Sequence, residues 1–254
     1  MHTHSEAKEE SKKFKKRILK ASIWSTGSHV LNQAIRLGSN LIMTRLLVPE
    51  YFGLMAIANV FIYGLQMMSD MGLRQSLIQS KRFDETFINT IWTMQVIRGC
   101  AIWLMSLLVA VVLYCLNAID FWPKESVYHD PLLPYIVALI GIGALISGFE
   151  STKLAISSRE LSLAKNVTIG LMSQICGITV MICWALLDKS VWPMVAAALV
   201  SSLVTTTLSH TMFGGVRNQF HWDKAAFEQI FHFGKWVFVS SILGFLLLSS
   251  DKLI

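Results

Sequence analysis

Charge is what this sequence has least of. Asp, Glu, Lys and Arg make up 15% of its 254 residues and apolar types 54%, against a charged share of about 25% in soluble domains. That shortfall excludes a soluble globular chain and predicts an all-α fold, a polytopic transmembrane helix bundle. The net charge of +6 does not indicate a nucleic-acid partner, because that needs cations clustered on one soluble face; here they sit in short loops between apolar runs. Also missing are HExxH, GxSxG and the GxxxxGKS/T phosphate loop. No connection is long enough for a soluble catalytic domain. No catalytic residue, metal ligand or cofactor is expected, so the chain reads as a non-enzyme. Cysteine is scarce too: Cys100, Cys115, Cys176 and Cys183 lie singly inside apolar runs without a CxxC pair. They read as buried structural thiols. A cleavable signal peptide is not expected, since residues 1–20 are polar and basic and the first apolar run exceeds an h-region.

The cations that are present are unevenly placed. Lys8, Lys12, Lys13, Lys15, Lys16, Arg17 and Lys20 crowd residues 1–20, interleaved with Phe14, Ile18 and Leu19, as in a basic amphipathic helix on an anionic leaflet or a solvated topology signal. Arg74, Lys81, Arg82, Lys153, Arg159, Lys165, Arg217, Lys224 and Lys235 follow in alternate connections, sixteen cations with the tail. The other connections hold three, Arg45, Lys124 and Lys189. By the positive-inside rule the N-terminus is cytoplasmic. The expected layout is a basic cytoplasmic segment at 1–20, a six-helix lobe at 21–213, a cytoplasmic amphipathic connection at 214–232, and a seventh helix at 233–254 cut off by the C-terminus.

Three cations remain inside spans: Arg36, Arg98 and Lys252. His29, Gln33, Arg36 and Asn40 are spaced four, three and four apart and share one face of a 3.6-residue helix, with Ser22 and Ser25 continuing it. Ile23, Val30, Leu37, Leu41 and Met43 form the opposite face. A guanidinium among acyl chains costs about 2.5–3.5 kcal/mol, so Arg36 is expected to face protein or water. The stripe reads either as helix glue or as the lining of a pathway. Arg98 falls 11 residues into a third helix expected from Phe87, a rise of about 16 Å, near mid-bilayer. Asp251 and Arg36 lie at similar expected depths, about 24 and 22 Å along their helices, so they can meet across the interior. The competing reading pairs Asp251 with Lys252 near the interface. A cavity lined by Arg36, Arg98 and Lys252 suits an anionic cargo, because a guanidinium fork matches phosphate oxygens.

Four stretches, TRLLVPEYFGLMAIA at 44–58, GLRQSLIQ at 72–79, SSRELSLAKN at 157–166 and SSDKLI at 249–254, together resemble the polysaccharide-transporter, or O-antigen flippase, branch of the multidrug/oligosaccharidyl-lipid/polysaccharide exporter superfamily, over its N-terminal half. The resemblance implies two six-helix lobes around a central cavity and movement of an undecaprenyl-pyrophosphate-linked oligosaccharide across the bacterial inner membrane by alternating access. It matches Arg36, Asp251 and Lys252, with Arg98, to charged positions of the cavity, and together with His29, Gln33 and Asn40 of the stripe these are the expected substrate-binding residues. Implied partners are the lipid-linked oligosaccharide, membrane lipids and a second lobe or chain, because half of such a cavity has nothing to move against. Alternatives are a non-transporting scaffold of a glycan-assembly complex, a cation-coupled small-molecule exporter, and a membrane polymerase or acyltransferase. The exporter needs a deep carboxylate, whereas Asp70 and Glu150 are placed near cytoplasmic ends. Against the enzyme, His129, His221 and His232 lack evident partners.

Overall fold

A computed structural model describes residues 30–70, 72–79, 84–159, 163–214 and 217–232, with the isolated positions 27, 234, 235, 238, 240 and 243. Nine α-helices appear among them: α1 (30–46), α2 (Pro49–Met68), α3 (Leu73–Gln79), α4 (Glu85–Ala118), α5 (Leu133–Gly148), α6 (Lys153–Arg159), α7 (Leu163–Ala185), α8 (Trp192–Thr211) and α9 (224–232). The described residues contain no strand.

Local chemistry starts these helices. Proline stands in the first turn of α2, α5 and α8, where its missing N–H has no intrahelical partner to lose and its fixed φ suits the helix. Asp84 caps α4 by accepting from Phe87 N at 3.3 Å, and Asp223 caps α9 by accepting from Ala225 and Ala226 N. Helices α2, α4, α7 and α8 are long and apolar enough to cross a membrane, and α5 is a shorter apolar helix. At 34 residues, α4 is about 51 Å long, well beyond the ~30 Å hydrocarbon core.

The centre of the bundle is α5, which packs against α4, α8 and α2. Leu54, Ala58 and Ile62 of α2 meet Ala110 and Leu113 of α4, Ile136, Val137 and Ile140 of α5, and Val195 of α8 in the main core. Small residues bring backbones together. A Cβ added to Gly99 of α4 would lie 2.9 Å from the Ala144 carbonyl and 3.0 Å from Gly148 Cα of α5. Likewise a Cβ on Gly177 of α7 would lie 2.9 Å from the Ala197 carbonyl of α8. Helix α1 docks through Met43 and Leu47, buried beside Ala185 with Met181, Ile182 and Tyr51 around them, and through Gln174 Nε2, which donates to Asn32 O at 3.2 Å.

The stretches read as connections at 70–86, 153–165 and 214–232 hold folded structure. Helices α3, α6 and α9 gather around the N-terminal turns of α4 and build a second core from Leu73, Leu77, Phe87, Ile91, Met94, Ala155, Ala226 and Ile230. The chain entering α9 is hydrogen-bonded to α4: the N–H groups of Gln219, His221 and Asp223 donate to Asn89 Oδ1, Thr93 Oγ1 and Thr90 Oγ1 at 3.1, 3.0 and 3.1 Å. The thiols also depart from expectation, because Cys115 and Cys183 are exposed on the bundle surface and all four are free. A thiol behaves as a small hydrophobe and suits a lipid-facing position as well as a core.

Candidate functional site

Along α2, Asn59, Tyr63 and Gln66 recur at four and three residues and therefore share a face. That face borders a cavity of about 980 Å³ lined by α2, α5 and α8 and open along the side where Asn59, Val60 and Tyr63 are exposed. Opposite stand Ser147 and Gly143 of α5 and Ser202 of α8, with Phe61, Ile57, Ile140, Leu199 and Tyr128 supplying apolar wall. The stripe has the spacing that drew attention to α1 and was legible in the sequence, but only the fold shows that it faces a cavity.

At the α3–α6–α9 end of this cavity, α4 presents two polar side chains one turn apart. Arg98 donates from Nη2 to Gln66 O at 2.8 Å and from Nε to Ser69 Oγ at 3.2 Å. Gln95 Nε2 lies 3.3, 3.1 and 3.0 Å from the carbonyls of Ser147, Gly148 and Glu150. Arg98 thereby covers the Gln66 carbonyl in the last turn of α2 and Gln95 those of Ser147 and Gly148 at the end of α5, where helix carbonyls lack an intrahelical donor; the Glu150 carbonyl lies just beyond that helix. Arg98 is thus level with the ends of two neighbouring helices rather than midway along them. Its expected depth assumed that α4 starts at the membrane edge, whereas 13 residues of α4, about 20 Å, precede it. Beside this end, burial raises the Glu150 carboxyl above its usual range, opposed by the Arg74 charge and a hydrogen bond with Ser147.

The remaining expected site residues are distributed differently. Gln33, Arg36 and Asn40 are all exposed on α1, flanking the face that docks through Ser39, Met43 and Leu47. None of these three, nor Arg98, lines the cavity. His29, Asp251 and Lys252, and with them the proposed meeting of Arg36 and Asp251, lie outside the described residues. No group of three His, Cys, Asp or Glu side chains among the described residues is arranged to hold a metal.

The arrangement defines a multi-pass helical membrane protein with an open, polar-edged cavity between α2, α5 and α8. A family model described as "Polysaccharide biosynthesis protein" matches residues 42–254, and the chain belongs to that family, in agreement with the motif resemblance. It is similar to "Lipopolysaccharide biosynthesis protein WzxC" of Escherichia coli (strain K12), with 21% identity over 237 residues that cover 91% of this chain and 45% of that protein. The chain thus spans about half the length of that relative. No solved structure matches it significantly.

Proposed function

We propose that this chain is one lobe of a non-enzymatic transporter that carries an undecaprenyl-pyrophosphate-linked oligosaccharide across the bacterial inner membrane, with its N-terminus in the cytoplasm. One observation carries the reading: a chain of the polysaccharide biosynthesis family holds an open, polar-edged cavity between the membrane-length helices α2 and α8 and the shorter α5, which suits passage of an amphipathic lipid-linked sugar. The sixteen-to-three cation asymmetry supports the orientation, placing the α3–α6–α9 end at the cytoplasm. Gln33, Arg36 and Asn40, exposed on α1, are then available to substrate where a second lobe faces this one; His29, Asp251 and Lys252, outside the described residues, are proposed to bind substrate with them. Arg98 serves from behind, holding the end of α2 that carries Gln66.

The test is the fate of the precursor in cells in which this gene is deleted. Transport predicts loss of surface polysaccharide together with accumulation of the complete lipid-linked oligosaccharide on the cytoplasmic leaflet, reversed by wild type but not by Arg36→Glu. Failure to assemble the precursor at all would instead make the chain a scaffold of glycan synthesis.

A further inference from the structure

The cavity and the α1 stripe differ in charge. Arg36 lies on the stripe, whereas the cavity lining contains no Asp, Glu, Lys, Arg or His. Its polar side chains are the amides of Asn59 and Gln66 and the hydroxyls of Tyr63, Tyr128, Ser147 and Ser202. Arg98, beside the lining residue Gln66, is committed to Gln66 O and Ser69 Oγ, while Glu150 beside Ser147 contributes negative charge when ionised. A diphosphate settling against this lining would give up part of its hydration without a cation to replace it.

Neutral polyhydroxyl compounds meet no such obstacle. Each amide offers one acceptor oxygen and two donors, which matches a sugar hydroxyl that both gives and takes a proton. Among the described residues, neither the Asn59 nor the Gln66 side chain has a hydrogen-bond partner. The ring of Tyr63 provides a flat apolar face between the two amides, suited to the C–H face of a pyranose. A volume of about 980 Å³ is at the upper end of the ~300–1,000 Å³ typical of small-molecule sites, enough for a short oligosaccharide.

We infer that the α2–α5–α8 cavity is a subsite for uncharged glycosyl units, held by Asn59, Tyr63 and Gln66, and that it excludes the anionic part of the same substrate. The inference rests on the transport reading for its cargo, but the site is defined by its own chemistry. Binding divides the substrate accordingly: sugars enter the cavity and the diphosphate stays outside it.

The experiment measures access to the cavity in the full chain in phosphatidylcholine nanodiscs. Cys100, Cys115, Cys176 and Cys183 are replaced by Ala, Ser202→Cys is introduced, and its alkylation by a water-soluble maleimide is timed. The probes are octyl glucoside, octyl galactoside, octyl N-acetylglucosaminide, octyl phosphate and octanol, which share one alkyl chain and differ in the head. At least one glycoside is expected to slow alkylation five-fold or more, with octyl phosphate and octanol inactive. Asn59→Leu and Gln66→Leu should abolish that protection while Asn59→Gln retains part of it, in proteins whose helical circular dichroism is unchanged. Equal or better protection by octyl phosphate would make the cavity an anion site and overturn the inference. Equal protection by octanol would make it a site for the lipid tail, and an introduced thiol that never reacts would show a closed cavity; either result overturns it as well. The leaflet assay above is independent, so transport can fail while glycoside binding holds, and the reverse.

Discussion

The two faces of α5 are opposites. Toward α4 it presents Gly141, Ala144 and Gly148, and the backbones meet so closely that a Cβ on Gly148 would lie 3.2 Å from Gly99 Cα. Toward α2 and α8 it packs through Ile136, Val137 and Ile140 and, over Gly143 and Ser147, borders the cavity. In a membrane, apolar surface gains nothing by leaving lipid for another helix, so close van der Waals contact through small residues holds helices together. The α4–α5 seam supplies that contact. On the other face the contact is partial, which leaves room for a cavity.

The sharpest way to break this contrast is Gly141→Leu. Any side chain at Gly141 collides with Ser106 of α4, and overpacking of this kind costs about 1–3 kcal/mol or more. We expect the variant to lose its monodisperse peak in fluorescence-detected size-exclusion chromatography; a normal peak would show that α4 and α5 are not in register as described. Next in size is Arg98→Leu, which leaves the Gln66 carbonyl without its charged donor and should cost about 1.5–3 kcal/mol, read as a lower melting temperature in detergent. A drop no larger than that of an exposed control such as Lys124→Leu would remove Arg98 from the support of α2.

Glu150 stands where both faces of α5 end, and its effect depends on pH. Burial raises its carboxyl pKa from the reference 4.5, so the folded chain holds this proton to higher pH than the unfolded chain does. The stability gained from the protonated form is therefore full below about 4.5 and is lost as pH rises through the folded value. Glu150→Gln should flatten that decline and raise the melting temperature at neutral pH. A variant whose melting temperature keeps the wild-type pH profile would assign the slope to other groups. The smallest effect is expected for Gly143→Ala on the open face: its Cβ would lie 3.5 Å from Ser202 Oγ, ordinary contact, so stability should change by no more than about 0.5 kcal/mol. The pair Gly141→Leu and Gly143→Ala, two residues apart on one helix, thus separates the packed face from the open one.

Much of the architecture was legible before any coordinates. Apolar runs of membrane length stand out because a segment with few charges and about twenty apolar residues has few alternatives to a span. The short helices α3, α6 and α9 were not legible, since seven to nine residues give too little periodicity to distinguish a helix from a connection. Their apolar residues become informative only when the N-terminal turns of α4 supply a surface. The α1 stripe was legible as a pattern, but exposure does not separate its faces: Gln33, Arg36 and Asn40 are exposed, and so are Val30, Leu37 and Leu41 opposite them. For Arg98 the residue type signalled importance correctly, but its partner could not be read, because Gln66 O and Ser69 Oγ lie 32 and 29 residues away in sequence.

By itself, then, the sequence determined the solvent of this protein and its family. Both depend on quantities that add along the chain: apolar length, charge bias, and the order of motifs at 44–58, 72–79 and 157–166. Tertiary structure alone decided which polar residues support and which border space. Asn59 and Gln66 meet a cavity while Gln95 and Arg98 close helix ends, although all four are polar residues on apolar helices. The difference lies in what stands opposite each side chain. Opposition across helices arises from packing angles and from the small residues that allow contact, and local composition does not encode it.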